Sequence, residues 1–321
     1  MRGIDKYAQK YLLQWETSAT IRGRARFRLT ADLFPCDLYP AGAFPLLEHA
    51  SVKALGKDAA RTMLAWAAYQ VQEDIANIEM QVVTDLCNSL ALQKFHFSLP
   101  DSARQAALTI GTDEIYHAYV AREFIADAER LSGIASLPHD GSKTTIANAL
   151  SYVRSAAPPA LLGEAETMVL CFAENFVTEE IFGTLKSTDE DSVFRVILRE
   201  HLIDEGRHQL FFQNLMRHMW HEMDDEARSA LGDLVPGFLD AFLMDGRSVW
   251  DRWLPILNGV GFSDDKAKEI ILQTFDAMGV ASRAKHKAKH VGRCMNLLHV
   301  SGMLEHPQTR ARLIETDWSK P

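Results

Sequence analysis

Three side chains of the kinds that bind metals or transfer protons occur close together in the segment "REHLIDEGRHQLFF". His201, Glu205 and His208 are four and three residues apart, so on a helix they lie on one face. This face continues into apolar residues such as Leu198 and Phe212, as in a helix that packs against a core. The segment therefore predicts three metal ligands on the buried face of one helix.

A second segment, "GTDEIYHAYVAREF", carries Glu114 and His117 at the same Glu-x-x-His spacing. A chain of this composition produces about one such match by chance, and a lone match usually belongs to an exposed helix face. Two matches, each in the middle of a long amphipathic helix, are far less expected. Four-helix carboxylate sites for two metal ions use this motif twice, together with one inward glutamate from each of the other two helices.

The two remaining glutamates are also present. Glu79 lies on an apolar face in "EDIANIEMQVV", and Glu174 lies on one in "VLCFAENFVTEEIF". Four glutamates balance the charge of two ferrous ions, and iron accepts both carboxylate and imidazole ligands. Without a metal, these carboxylates would cost many kcal/mol in a bundle core or would take up protons. We therefore predict a di-metal site. Asp113 and Asp204, on other faces of their helices, are candidates to orient the ligand histidines.

The elements that must position these residues are helices, because apolar residues recur every three or four positions along most of the chain. No region reads as a run of alternating strands. Four long helices are predicted, over about Asp58–Leu90, over Asp101–Leu131, from "PPALLGEAE" to about Leu185, and from "STDEDS" to near His221. The predicted fold is all-α, a single domain over residues 1–321 with a core bundle at about 58–221 and flanking helices in 1–57 and 222–321.

Local patterns refine these bounds. Pro100 and Asp101 provide a stop and a cap before the second long helix, and Ser187 and Glu190 have the spacing of a capping box before the fourth. Prolines at 236 and 255 predict breaks in the C-terminal helices. Gly206 costs about 1 kcal/mol relative to alanine in a helix interior, so it predicts a close approach of another backbone.

Composition excludes several classes of protein. The chain has 321 residues, of which 47% are hydrophobic and 24% are charged, as in globular proteins, and its formal charge of −9 argues against general nucleic-acid binding. It contains no run of eighteen apolar residues, so no membrane span is predicted, and its N-terminus lacks the apolar core of a signal peptide. The four cysteines are far apart, which favours reduced thiols and a cytoplasmic location.

With these residues identified, the chain resembles the p-aminobenzoate N-oxygenase-like diiron oxygenases. That family's pattern is an isolated glutamate, Glu-x-x-His, a second isolated glutamate, and His-x-x-x-Glu-x-x-His. It is filled in order by Glu79, Glu114, His117, Glu174, His201, Glu205 and His208. His201 is the discriminating residue, since most ferritin-like diiron proteins have only two histidine ligands.

The resemblance implies a ferritin-like four-helix bundle that holds two iron ions (Fe2+/Fe3+), with O2 as cosubstrate. It implies that a peroxo-diiron(III) species oxidises an amine to a hydroxylamine, nitroso or nitro product in natural-product biosynthesis. Electrons must come from an external electron donor, because the chain has no nucleotide-binding glycine motif. The amine would be free or bound to a carrier protein. A homodimer is one of the oligomeric states that the sequence allows.

Substrate contacts are predicted in two places. Tyr116, Phe172 and Phe212 adjoin ligands and could line a pocket, although such residues more often belong to plain core packing. The segment "ASRAKHKAKHVGRC" is basic in an acidic protein, and one of its helical faces could hold a substrate carboxylate or a phosphopantetheine arm. The residues on that face are Arg283, His286, His290 and Arg293. The alternative is a solvated basic face.

Other functions remain open at this point. A diiron carbon hydroxylase or desaturase would use the same residues, and a ferritin-like ferroxidase would need them in a storage shell. A radical subunit of the ribonucleotide-reductase type would need a tyrosine beside the metal, where Tyr116 lies close to Glu114 in sequence. A metal-free helical interaction module would bind no iron at all.

Overall fold

The computed structural model of the chain describes residues 3–23, 25, 27–33, 37–141, 144–186, 193–243, 247–316 and 318, and their side chains except those of 177–186, 247–249 and 280–286. All regular structure in these ranges is helical and none is a strand, so the all-α prediction is confirmed. The α-helices are α1 Gly3–Ser18, α2 Thr20–Gly23, α3 Ala50–Lys53, α4 Lys57–Ile78, α5 Thr84–Ala91, α6 Asp101–Ser132, α7 Thr145–Ala156, α8 Leu162–Lys186, α9 Val193–Glu222, α10 Asp225–Leu243, α11 Arg247–Gly259, α12 Asp264–Ala277, α13 Val280–Ser301 and α14 Pro307–Glu315.

Two pairs of long helices build the bundle. The α4–α5 segment packs against α6, and α8 packs against α9. The bounds agree with the predicted helices to within a few residues. Pro100 occupies the position before α6, and Asp101 is its first residue, so the predicted aspartate cap is wrong by one position. The capping box of Ser187 and Glu190 falls outside the described residues.

A π-helical turn, Glu79–Val83, joins α4 to α5 where the sequence predicts one uninterrupted α-helix. The hydroxyl of Thr84 donates a 2.8 Å hydrogen bond to the Glu79 carbonyl, five residues back. A π turn widens the helix and rotates the side chains that follow it, and such turns concentrate at functional sites. Glu79 is the first residue of this turn, so the irregularity lies at a predicted metal ligand.

The core consists of two apolar clusters with a polar layer between them. On α9, Leu198 belongs to one cluster and Phe211 to the other. On α6, Ala118 belongs to the same cluster as Leu198, and Ile110 belongs to the same cluster as Phe211. The predicted ligands on both helices lie between these residues. Buried apolar side chains therefore flank the ligands on both sides along each helix. That both clusters form one domain stays a prediction.

The flanking helices cover the bundle. At the N-terminus, α1 packs against α6 and α9, and the hydroxyl of Tyr7 donates to the carbonyl of Arg207 at 2.8 Å. At the C-terminus, α10 packs against α7 and α14, α11 against α4, and α13 against α9. No helix in the described part of the chain combines the length and apolarity that crossing a bilayer requires.

The proline and glycine predictions are wrong. Pro236 lies inside α10 and Pro255 inside α11, so neither ends its helix. A proline removes one backbone hydrogen bond, but buried neighbours such as Phe238 and Ile256 hold these helices by packing. At Gly206, an added Cβ would meet no atom within 4 Å, so no close backbone approach explains this glycine.

We expect Gly206→Ala to raise the free energy of unfolding by about 1 kcal/mol, because alanine restricts the unfolded chain and its Cβ would point into open space beside α9. Gly259→Ala is the matched control. There the new Cβ would lie 2.6 Å from the ring of Trp66, so this variant should be destabilised. Urea denaturation of both variants measures the effect. A destabilised alanine variant at 206 would show that the space around Gly206 is needed.

Candidate metal centre

The structure brings the seven predicted ligands together in the polar layer. They fall into two groups that share Glu205, and within each group one potential ligand atom per residue lies within 4.8 Å of the others. The first group is Glu79, His117, His201 and Glu205, and the second is Glu114, Glu174, Glu205 and His208. The convergence is a property of the fold. Their role as metal ligands stays a prediction.

Glu205 lies at the centre of the cluster. Its Oε1 is 3.3 Å from Nε2 of His201, 3.3 Å from Nδ1 of His208 and 3.6 Å from Nδ1 of His117. One carboxylate oxygen therefore faces three imidazoles. Since carboxylates bridge metal ions readily, Glu205 is placed to serve both groups.

Two buried aspartates orient two of the histidines. Nε2 of His117 lies 3.1 Å from Asp204, and Nε2 of His208 lies 3.2 Å from Asp113. Asp204 directly precedes the glutamate of the motif on α9, and Asp113 directly precedes that of the motif on α6. Each aspartate therefore bonds to the histidine of the motif on the other helix. An N–H that donates to a carboxylate leaves Nδ1 with a lone pair directed at the cluster. The expected orienting partners are therefore in place.

The N-terminal helices bind these aspartates from outside. The indole N–H of Trp15 donates to both oxygens of Asp113, at 2.9 and 3.0 Å. The backbone N–H and hydroxyl of Thr20 donate to Asp204. Trp15 and Thr20 are not predicted from the sequence, because each pairs with a residue about a hundred or more positions away. Nothing in their local pattern marks them.

The pKa values of the clustered residues are shifted by burial and by one another. Burial, followed by repulsion from neighbouring carboxylates, raises the pKa of Glu79 and Glu174 well above the usual value. Burial acts in the same direction on Glu205, but His201 and His208 outweigh it and lower its pKa. Burial lowers the pKa of His117, yet its bond to Asp204 and the nearby carboxylates raise it well above normal. Protons therefore occupy this cluster when no metal does.

The donor atoms of the cluster are better placed to bind a metal ion than to form hydrogen bonds with one another. Four inward atoms make no hydrogen bond within the protein: Glu79 Oε2, Glu114 Oε1, Glu205 Oε1 and His208 Nδ1. His208 Nδ1 lies only 2.8 Å from Glu114 Oε1, but without hydrogen-bond geometry. Buried polar atoms are rarely left unpaired, so atoms that converge without bonding to one another are suited to bind a cation. Carboxylates and imidazoles together suit iron.

A narrow opening of about 20 Å³ reaches the cluster beside His117 and His201. It has room for about one water-sized molecule. Tyr116 and Gln72 line it, and Nε2 of the buried Gln72 has no hydrogen-bond partner. The other lining residues are Thr20, Val120, Ala121, Ile197, Leu198 and Glu200.

The remaining substrate candidates lie elsewhere. Phe172 packs edge to face with Phe238 at 4.8 Å, and Phe212 contacts Phe211 in the same way, so both take part in core packing. On α13, His290 is buried against Phe176, with ring centroids 4.5 Å apart. Arg293 on the same helix is half-buried, and the side chains of Arg283 and His286 fall outside the described residues. Contact of any of these residues with substrate stays a prediction.

Comparison with known proteins identifies the family. The family model described as P-aminobenzoate N-oxygenase AurF matches residues 35–289. The chain belongs to the AurF family. The match includes all seven clustered residues and leaves out α1 and α2, and it agrees with a ferritin-like diiron bundle. AurF-family membership makes the protein an oxygenase. No curated protein matches the chain.

We expect this AurF-family protein to bind ferrous ion more tightly as pH rises. The raised pKa values of Glu79, Glu174, His117 and His208 mean that these groups hold protons which a cation must displace. Anaerobic titration at about pH 6 and about pH 8, on either side of an ordinary histidine pKa, measures the affinity. An indicator dye in weakly buffered solution measures the released protons.

Glu174→Gln provides the comparison, because it removes one titrating group and should release fewer protons. Equal affinities at both pH values, without proton release, would contradict the assignment of these residues as ligands.

Proposed function

We propose that this AurF-family protein is a non-haem diiron N-oxygenase that uses O2 and external electrons to oxidise an amine to a hydroxylamine, nitroso or nitro compound. The observation that carries the proposal is the buried convergence of four glutamates and three histidines. One ion would be held by Glu79, His117 and His201, the other by Glu114, Glu174 and His208, with Glu205 shared. When bound, the two irons supply the redox chemistry of O2 activation.

The protein's own side chains supply the environment for that chemistry. Asp113 and Asp204 hold the tautomers of His208 and His117, so both Nδ1 atoms face inward. The apolar clusters on either side exclude water, which strengthens every electrostatic interaction within the layer. Gln72 presents a donor at the opening, where a small molecule would approach His117 and His201.

His201 supports nitrogen as the atom that is oxidised. It adds a third imidazole to the cluster, with Nε2 3.3 Å from both Glu79 and Glu205. The resemblance to amine oxygenases rests on this residue, whereas a carbon hydroxylase, a desaturase or a ferroxidase would need only the other six. A role in natural-product biosynthesis and a cytoplasmic location belong to the same proposal. The described cysteines, Cys87, Cys171 and Cys294, are free thiols, as in reducing compartments.

An oxygenation assay tests the proposal. Protein loaded anaerobically with ferrous ion is exposed to isotopically labelled O2 with p-aminobenzoate or an aliphatic amine, and mass spectrometry locates the label. We expect labelled oxygen on nitrogen, and none with zinc-loaded protein, which has the same ligands without redox chemistry. Label on carbon alone would favour a hydroxylase. Oxidation of iron with no labelled product from any amine would favour a ferroxidase.

We further expect His201→Ala to retain iron but to oxidise amine at least about tenfold more slowly, since loss of a supporting ligand alters reactivity more than occupancy when six ligands remain. Iron content, the optical transient after mixing with O2, and product yield are compared. His139→Ala is the matched control, because His139 bonds to Asp74 instead of entering the cluster. If His201→Ala matches wild type in iron content, in the optical transient and in product yield, His201 is not a ligand.

A further inference from the structure

We propose that Trp15 is the residue through which electrons enter the metal centre, by way of Asp113 and His208. The inference rests on the proposed function, because a diiron oxygenase must be reduced before each turnover and this chain has no flavin or nicotinamide motif. It concerns α1, which lies outside the residues that match the AurF family.

A continuous chain of hydrogen bonds runs from Trp15 to the cluster. The indole N–H contacts Asp113 at 2.9 and 3.0 Å, and Asp113 Oδ2 lies 3.2 Å from Nε2 of His208. The other ring nitrogen of His208 faces Glu114 and Glu205. Electrons tunnel more efficiently through bonds and hydrogen bonds than across gaps between atoms. Three side chains therefore form a coupled path from α1 to the second group of ligands.

Burial of the cluster keeps an electron-donor protein away from the ligands. The seven ligand side chains are at most 10% exposed, so a donor protein cannot touch them. The opening beside His117 is about 20 Å³ in volume, too narrow to bring a donor protein into contact with the ligands. Trp15, in contrast, is only partly buried, and the guanidinium of Arg22 lies 5.2 Å from its ring centroid. Trp15 is therefore partly accessible to solvent while its N–H bonds to Asp113.

Tyr11 is the neighbouring alternative, and the geometry favours Trp15. The hydroxyl of Tyr11 lies 3.5 Å from Asp113, at the limit of a hydrogen bond, and its side chain is fully buried. Tyr7 reaches the surface but bonds to the backbone of Arg207 instead of to Asp113. Among these aromatic residues of α1, Trp15 alone combines exposure with a short bond to the orienting carboxylate.

In each step a reduced one-electron donor, such as an iron–sulfur protein, loses one electron and a ferric ion gains it. No bond to Trp15 forms or breaks, and its N–H proton stays in place. Two such transfers convert the diferric centre to the diferrous one.

The experiment compares Trp15→Phe, which keeps a ring but removes the N–H, with wild type. Trp66→Phe is the matched control, because it removes an indole bond of the same 2.9 Å length to a backbone carbonyl in another part of the fold. Diferric protein is mixed anaerobically with a reduced [2Fe–2S] ferredoxin, and stopped-flow absorbance follows loss of the ferric bands. We expect reduction to slow about tenfold or more in the Trp15 variant and to change less than about twofold in the control.

A second measurement separates a relay from a structural role. The diferrous Trp15→Phe protein should still bind two irons, and its reaction with O2 should slow much less than its reduction does. An unchanged rate of reduction would overturn the proposal, and so would equal slowing of reduction and of the O2 reaction. Wild-type protein that binds no iron, or whose iron does not react with O2, would instead refute the proposed function.

Discussion

The structure depends on the burial of four carboxylates and three imidazoles in one layer between two apolar clusters. Burial raises the pKa of Glu79 and Glu174 because their charge has lost its water and faces other carboxylates. Only cations, whether protons or metal ions, offset the free-energy cost of burying these carboxylates together. The long helices, the clusters above and below, and the covering α1 all keep water from the layer. The fold thus buries negative charge that a pair of divalent ions would neutralise.

The second constraint is the crossed bonding of two Asp-Glu-x-x-His motifs. Asp113 on α6 serves His208 on α9, and Asp204 on α9 serves His117 on α6. This arrangement sets the register of the two helices, since a shift by one residue would break both bonds. It also connects the layer to the N-terminus, because Trp15 and Thr20 bond to the same aspartates. Helices outside the family match therefore help to position the site.

Much of this could be predicted from sequence because helical periodicity is local. Spacings of three, four and seven residues place His201, Glu205 and His208 on one face wherever α9 lies. The features that were missed depend on contacts between distant segments. Pro236 stays within α10 because of its packing, and the π turn at Glu79 arises within an otherwise regular pattern. Trp15 and Thr20 resemble ordinary helical residues until α1 and α2 meet α6 and α9.

The two groups of ligands have different surroundings, and this asymmetry has a mechanistic consequence. The group of His117 and His201 borders the opening, while His208 lies behind α1 and is linked to Trp15. Small molecules and electrons would then reach different metal positions. An oxygenase benefits from such separation, because electrons and O2 need not reach the centre through the same group of ligands. Glu205, common to both groups, would couple the position that receives electrons to the position that meets O2.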